Sequence, residues 1–303
     1  MIRIGSRGSQ LALWQAHWIE GRLNALGEAC SIEIIKTTGD AITGVPLAKI
    51  GGKGLFTKEI EEALLAGAID VAVHSLKDMP TALPSGLMLA AIPEREDVRD
   101  AMVGKRLDEL AAGAKVGTSS LRRAAQLRAL RPDLRVETLR GNLDTRLRKL
   151  DDGQYDAIVL AAAGLRRLGW EDRISERVPI ETICPAPGQG ALAVETCVGD
   201  GHAAQLCRQL DDATSRAAVT AERAALAALG GGCQVPIGAY AEVANESLYL
   251  RAVVISPDAT RAVRGEERGP AAEPEAVGRR LGERLLNDGA REILAAVDAA
   301  SLT

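Results

Sequence analysis

The sequence predicts an α/β protein over its first two thirds and a separate small α+β domain at its C-terminal end. Three observations carry this. Strand-like and helix-like stretches alternate from Ile2 to Leu168. The pattern changes after about residue 213, where a long Ala-rich helix precedes three strand-like runs. A chain of 303 residues also exceeds what one ordinary core organises. Repeated βα units imply parallel sheets with crossover helices.

Ile2–Ser6 reads as a strand, with no signal-peptide apolar region before it. Ser9 precedes a helix through Leu26, with Leu11, Leu13, Trp14, Trp18 and Ile19 largely on one side. Ser31–Thr37 alternates as a strand. Gly44–Thr57 has little periodicity, and its Gly51-Gly52-Lys53-Gly54 lacks the Gly-Lys-Ser/Thr order of a phosphate-binding loop. A glycine-rich lid bearing Lys53 and Phe56 is expected there. Lys58–Ala66 reads as a helix, then Asp70–His74 and Leu87–Ile92 as strands. Pro93-Glu94-Arg95-Glu96-Asp97 reads as a crossing between domains.

Lys115–Gly117 is a strand, and Ser119 or Ser120 caps a helix to Leu130 that Pro132 stops. Arg135–Leu139 is a strand before a helix reaching Leu150, and Ala157–Ala161 leads into helical Ala163–Leu168. In the last third, Ser215–Leu229 is a helix ending at Gly230-Gly231-Gly232-Cys233. Ile237–Val243, Ser247–Ile255 and Arg261–Glu267 read as a β-meander, and Pro274–Val297 as a closing helix.

Composition narrows the function classes. Aromatics make up 2% with Phe56 the single Phe, which disfavours base-stacking nucleic-acid modules. No apolar run reaches the roughly 20 residues a membrane span needs, so a cytoplasmic protein is expected. Five cysteines form no CxxC or zinc spacing and read as free thiols of a reducing compartment. His17, His74 and His202 are too scattered for a dedicated metal site, so no metal is expected. Yet within a chain of formal charge −4, residues 115–150 carry ten basic side chains against three acidic ones. Eight of the ten are Arg, whose planar fork matches carboxylate or phosphate. A polyanion is the expected ligand.

In open α/β sheets, ligands bind beyond the carboxyl ends of strands. Polar clusters fall at four such ends: Arg7 and Ser9; Ser75, Lys77 and Asp78; Thr118, Ser119, Ser120, Arg122 and Arg123; and Arg140 with Arg146. Hydroxyls, guanidinium groups and free N–H groups at a helix start suit an anion. Arg122, Arg123, Arg140 and Arg146 are expected to face a cleft, whereas Arg128, Arg131, Arg135 and Arg148 read as a solvated helix face or loop. Asp78 could stabilise a developing cation, or simply pair with Lys77 or cap a helix. Cys233, presented by glycines, could tether a group, or be an inert loop cysteine. The other four cysteines read as structural, in helices or loops.

Together these pieces resemble the porphobilinogen deaminase (hydroxymethylbilane synthase) family. The matching stretches run in order from Arg3 to Gly238. They are Arg3-Ile4-Gly5-Ser6-Arg7-Gly8-Ser9-Gln10-Leu11-Ala12, Gly51-Gly52-Lys53-Gly54-Leu55-Phe56, Val73-His74-Ser75-Leu76-Lys77-Asp78-Met79-Pro80, Gly117-Thr118-Ser119-Ser120-Leu121-Arg122-Arg123, Leu139-Arg140-Gly141-Asn142, Pro187-Gly188-Gln189-Gly190-Ala191 and Gly231-Gly232-Cys233-Gln234-Val235-Pro236. Gly8 departs from a more common Gln.

The resemblance implies two periplasmic-binding-protein-like (type II) α/β lobes with the site in their cleft, plus a small C-terminal α+β domain. The implied bounds are 1–93 with 188–208, 97–185, and 213–303. It implies a transferase of tetrapyrrole (porphyrin, heme) biosynthesis that joins four porphobilinogen molecules head to tail, with loss of ammonia, into hydroxymethylbilane. It implies a dipyrromethane cofactor held through a thioether to Cys233. Asp78 would stabilise cationic pyrrole and azafulvene species. Arg122, Arg123, Ser120, Ser119, Thr118, Ser75, Lys77 and Arg140 would hold the cofactor. Arg7, Ser9, Arg140, Arg146, Arg167 and Gln189 would hold substrate. A monomer is implied, with no nucleic-acid or membrane partner. Two rival readings stay open: a non-catalytic anion-binding protein of the same bilobal fold, which leaves Cys233 unexplained, and a nucleic-acid binder using residues 115–150.

Overall fold

A computed structural model describes residues 1–41, 54–199, 201–231 and 235–301. Its strands form three sheets. The first lobe holds β1 (Ile2–Ser6), β2 (Cys30–Ile34), β3 (Val71–Ser75), β4 (Leu87–Ala91) and β10 (Leu192–Cys197), in the order β2-β1-β3-β10-β4. The second holds β5 (Asp100–Val103), β6 (Lys115–Gly117), β7 (Arg135–Glu137), β8 (Ala157–Ala161) and β9 (Ile174–Arg177), in the order β7-β6-β8-β5-β9. β11 (Ile237–Ala244), β12 (Ser247–Ile255) and β13 (Ala262–Pro270) make the antiparallel C-terminal meander.

The two lobes repeat one topology, that of type II periplasmic-binding-protein-like lobes. The expectation of parallel sheets is corrected: both are mixed. β10 runs antiparallel to β3 and β4, and β5 antiparallel to β8 and β9. The physical reason is connectivity. β5 follows the crossing from the first lobe and β10 the crossing back, so neither comes out of a βα unit, which alone enforces parallel pairing.

Helices α1 (Gln10–Ala25), α2 (Thr38–Ala41), α3 (Lys58–Leu65) and α7 (His202–Arg208) accompany the first sheet. Ser9 caps α1, accepting from Ala12 N at 3.4 Å. Helices α4 (Leu121–Leu130), α5 (Leu143–Asp151) and α6 (Ala162–Arg167) accompany the second. Ile4, Ile19, Val71 and Val194 centre the first core; Val116, Leu127 and Val159 lie on one face of the second sheet, Val103, Ile158 and Leu165 on the other. Each fully buried aliphatic side chain contributes roughly 1.5–3 kcal/mol.

In the C-terminal domain, α8 (Ala213–Ala228) and α9 (Pro274–Leu285) pack on the meander through Ala221, Ala225, Leu250 and Leu281. The expected single closing helix is interrupted at Leu286–Ala290, where Gly289 takes φ 111°, before α10 (Arg291–Ser301). Cys30 and Cys197 belong to strands, a correction to their expected helix or loop setting. None of the described helices is long and apolar enough to cross a membrane.

The crossings between the lobes touch. Glu96 N donates to Gly190 O at 3.2 Å. Gly190 has φ +87°, and a Cβ there would lie 2.3 Å from Glu96 O, so only glycine permits this approach.

Candidate active site

The first lobe's wall starts where β1 and β3 end. Arg7 and Ser9 occupy the turn from β1 into α1. Ser75 closes β3, and Lys77 and Asp78 follow in a short 3-10 turn, Leu76–Asp78. Gln15, buried on α1, fixes Ser75: its Nε2 donates to Ser75 Oγ at 2.9 Å, and that hydroxyl donates back to Gln15 Oε1 at 3.3 Å. A pocket brings Arg7, Ser9, Gln15, Phe56, Ser75 and Asp78 together. The Phe56 ring covers the Arg7 guanidinium, 4.1 Å from carbon to centroid. Arg7 meets Asp40 on α2, Nε donating to Oδ2 at 3.1 Å and Nη2 to Oδ1.

The second lobe supplies the opposite wall. Thr118, Ser119 and Ser120 lead from β6 into α4. Ser120 Oγ caps the helix by accepting from Arg123 N at 3.4 Å, and Thr118 Oγ1 accepts from Ser120 N at 3.2 Å. Ser119 Oγ donates to Leu139 O, so its hydroxyl hydrogen is already used. Arg146 Nε donates to Gly141 O at 2.7 Å, and Arg140 keeps a buried Nη1 with no hydrogen-bond partner among the described residues.

Electrostatics ties the two walls together. Burial pushes the Lys77 ammonium down to about 8; Asp78 and Asp100 pull it back, while Arg123 and Arg122 add to the fall. Burial pushes Arg146 down to about 10, with Arg123 and Arg140 adding to the fall and Asp78 opposing it. Asp78, exposed to solvent, therefore stands within the fields of Lys77 on its own lobe and Arg123 and Arg146 on the other.

Three expectations need correction. Arg122 and Arg123 do not project into an open cleft; they are 3% and 6% exposed and both grip Asp100. Arg122 Nη1 donates to Asp100 Oδ2 at 2.7 Å and to Cys184 O at 2.6 Å, while Arg123 Nη2 donates to Asp100 Oδ1 at 2.7 Å. The paired cations hold the Asp100 carboxyl well below the usual carboxylate range against its burial. Two cations against one anion leave this floor positive.

Gln189, expected to touch substrate, is 0% exposed, and its Nε2 donates to Val98 O and Asp100 Oδ1, each at 2.8 Å. It braces the two crossings instead. Arg128 and Arg131, read as solvated, are structural: Arg128 Nη1 donates to Pro257 O at 2.8 Å, and Arg131 to the Leu107 and Leu110 carbonyls at 2.9 Å each. Arg135 and Arg148 are exposed as expected.

Arg167 is nearly buried. Its Nη2 donates to Gly190 O at 2.7 Å and its guanidinium stands 5.9 Å from the Trp14 ring centroid. Lys53 and Cys233 lie outside the described residues, as does most of the Gly44–Thr57 stretch. Asp40, Asp100 and Gln15 escaped the sequence reading. Asp100 carried a faint signal, an acid opening the apolar Ala101-Met102-Val103, which a strand buries only with a cation beside it.

The donor set suits a ligand carrying several carboxylates. Lys77 and Arg146 act on the carboxylate of Asp78, Ser75 lines the same pocket as Asp78, and Arg122, Arg123 and Asp100 add a net positive charge that reaches Lys77. The buried Nη1 of Arg140, without a partner among the described residues, fits such a ligand, because an unsatisfied buried cationic donor is costly.

Sequence models of known families match most of the chain. The one described as porphobilinogen deaminase, dipyromethane cofactor binding domain, covers residues 2–205. The one described as porphobilinogen deaminase, C-terminal domain, covers residues 216–287. Among solved structures, the chain is similar to a periplasmic substrate-binding protein of an ABC transporter from Coxiella burnetii, at 15% identity and TM-score 0.44, over 69% of this chain and 92% of that one. It is also similar to the BvgS VFT2 domain from Bordetella pertussis, at 16% identity and TM-score 0.41, over 69% of this chain and 85% of that one.

Proposed function

The chain belongs to the porphobilinogen deaminase family, and on that premise we propose that it condenses four porphobilinogen molecules head to tail into linear hydroxymethylbilane, releasing one ammonia per unit. The observation that carries the reading is Asp78, a solvent-reachable carboxylate within the fields of Lys77, Arg123 and Arg146. Family membership implies a transferase of tetrapyrrole synthesis with a dipyrromethane cofactor.

Each pyrrole brings an acetate and a propionate. Arg7 and Ser9 on one wall and Arg140 and Arg146 on the other would hold them, with Lys77, Ser75 and Thr118 completing the donors. Bidentate clamps on rigid strand ends orient reactants, and orientation is a major source of rate. Asp78 would face the cation left when porphobilinogen loses ammonia. At 4 Å and an effective dielectric of 20, that attraction is about 4 kcal/mol. Arg122 and Arg123, held by Asp100, would act through charge at the cleft floor.

The dipyrromethane would be held by Arg140, Lys77 and the hydroxyls of Thr118 and Ser75, tethered through Cys233. When bound, it supplies the pyrrole carbon from which the chain grows.

The test combines turnover with intact mass. Incubation with porphobilinogen should release ammonia equal to the substrate consumed and yield a linear tetrapyrrole. The purified protein should exceed its sequence mass by a dipyrromethane, and Cys233→Ser should lose that adduct. Binding without consumption would instead favour the anion-binding reading, and full turnover by Cys233→Ser would remove the tether.

A further inference from the structure

The fork edge of Arg7 is already occupied. Nε and Nη2 both donate to Asp40, with Nε reaching Oδ2 at 3.1 Å, and Thr37 Oγ1 donates to that same oxygen at 2.8 Å. One face of the guanidinium is covered by Phe56 at 4.1 Å. A carboxylate in bidentate contact with Arg7 is the chemistry by which a pyrrole acetate or propionate would be recognised there.

The turns that carry Asp40 and Phe56 are joined. Thr38 N donates to Glu59 Oε1 at 2.8 Å, and Gly39 N to Leu55 O at 2.9 Å. A Cβ on Gly39 would lie 2.3 Å from the Phe56 ring, so the two turns pack without a spare atom between them.

We propose that Asp40 is an internal competitor for the substrate's carboxylate: it grips the fork edge of Arg7, and an incoming acetate or propionate group displaces it. The inference rests on the reading that Arg7 binds a substrate carboxylate. The pair suits displacement. Its side chains are 21% and 30% exposed, and ion pairs so near solvent are weak enough to exchange partners. Burial tends to raise the Asp40 pKa, yet hydrogen bonds from Arg7 and Thr37 outweigh it and keep the carboxyl below its usual range. Asp40 thus stays an anion and a true competitor at neutral pH. Apparent affinity falls in proportion to the fraction of sites that are competent, so the contact sets KM.

The test is the sign of one change. Asp40→Asn keeps the size of the side chain and an acceptor for Thr37 but removes the charge. Its KM for porphobilinogen should fall about fivefold, equivalent to about 1 kcal/mol, with a smaller change in kcat. A residue that only orients Arg7 would give a higher KM, and an unchanged or raised KM overturns the proposal. In the background of Arg7→Gln, the same substitution should have no effect on KM.

A second measurement needs no turnover. Phenylglyoxal labelling of Arg7, located by peptide mapping, should be faster in folded Asp40→Asn than in the parent. Acetate should protect Arg7 at lower concentration in the variant. Equal labelling rates overturn the proposal. If the parent fails to consume porphobilinogen while the labelling result holds, the proposed reaction falls and the carboxylate competition stands. If Asp40→Asn does not fold, Thr37→Val, which removes the hydrogen bond holding Asp40 Oδ2 beside Arg7, should speed labelling in the same way; no increase there overturns the proposal.

Discussion

Glu222 grips Arg95 with both carboxylate oxygens, at 2.7 and 3.0 Å, with the glutamate fully buried. Arg95 lies on the crossing from the first lobe, and its Nε also donates to Gln189 O on the crossing back, at 2.8 Å. Glu222 belongs to α8, and its carboxylate accepts from Gly188 N at 2.7 Å and Ala241 N at 2.8 Å. One side chain of the C-terminal domain thus bonds both crossings and its own β11. The domain expected to carry the tethering cysteine is bonded directly to the junction between the lobes.

Removing that carboxylate strands a buried guanidinium and two backbone donors. Glu222→Ala should cost about 3–5 kcal/mol, read as a lower denaturant midpoint. A loss below about 1 kcal/mol would show that water replaces the carboxylate at little cost.

Asp78 is exposed and sits in a short turn, so the fold has little stake in its charge. Asp78→Asn should lower kcat by about 10²–10³-fold with an unchanged unfolding midpoint. Activity within a few-fold of the parent would remove the cation-stabilising role.

Lys77 should impose a pH limb. Its ammonium, pushed down to about 8 chiefly by burial, holds anions below that pH, so KM should rise as pH climbs through 8. Lys77→Met should start with a higher KM and lack the limb. Stability carries the opposite sign. Between about 8 and the ordinary 10.5, the unfolded chain binds more protons than the native one, so the parent gains stability with pH there. Denaturant titrations of parent and variant across that window should diverge accordingly.

Arg128 and Arg148 separate structure from solvated charge. Arg128→Ala loses the bond to Pro257 O that ties α4 to the C-terminal domain and should cost about 1–2 kcal/mol. Arg148→Ala, exposed on α5, should stay within about 0.5 kcal/mol. Thermal unfolding of both variants checks the contrast.

The βα units of both lobes were legible in the sequence because strands such as β3 and β8 are apolar runs and their helices carry clear stops, such as Pro132 after Leu130. The strands that make the sheets mixed were not. β5 opens on Asp100 and β10 contains Glu195, buried acids that break the apolar signature; each survives by pairing, Asp100 with Arg122 and Arg123, and Glu195 with His74 at 3.1 Å. At the site, residue types at strand ends pointed to an anion. They could not show which guanidinium groups were already partnered, because Asp40 and Asp100 reach Arg7, Arg122 and Arg123 from elsewhere in the chain. The surroundings of Gln189 were hidden in the same way: the resemblance alone singled it out, and its bonds to Val98 O and Asp100 join segments far apart in the chain.

The place of β10 between β3 and β4 also fixes an order of assembly. During synthesis from the N-terminus, every strand of the second sheet leaves the ribosome before Leu192–Cys197 does. The later lobe can therefore finish first, while the earlier one waits with the facing edges of β3 and β4 unpaired. Unpaired edges template wrong partners, and such waiting intermediates are prone to aggregate. A nascent chain stalled before residue 192 is thus a half-built sheet beside a completed one, and the stretch that closes it decides whether the newborn protein escapes misassembly.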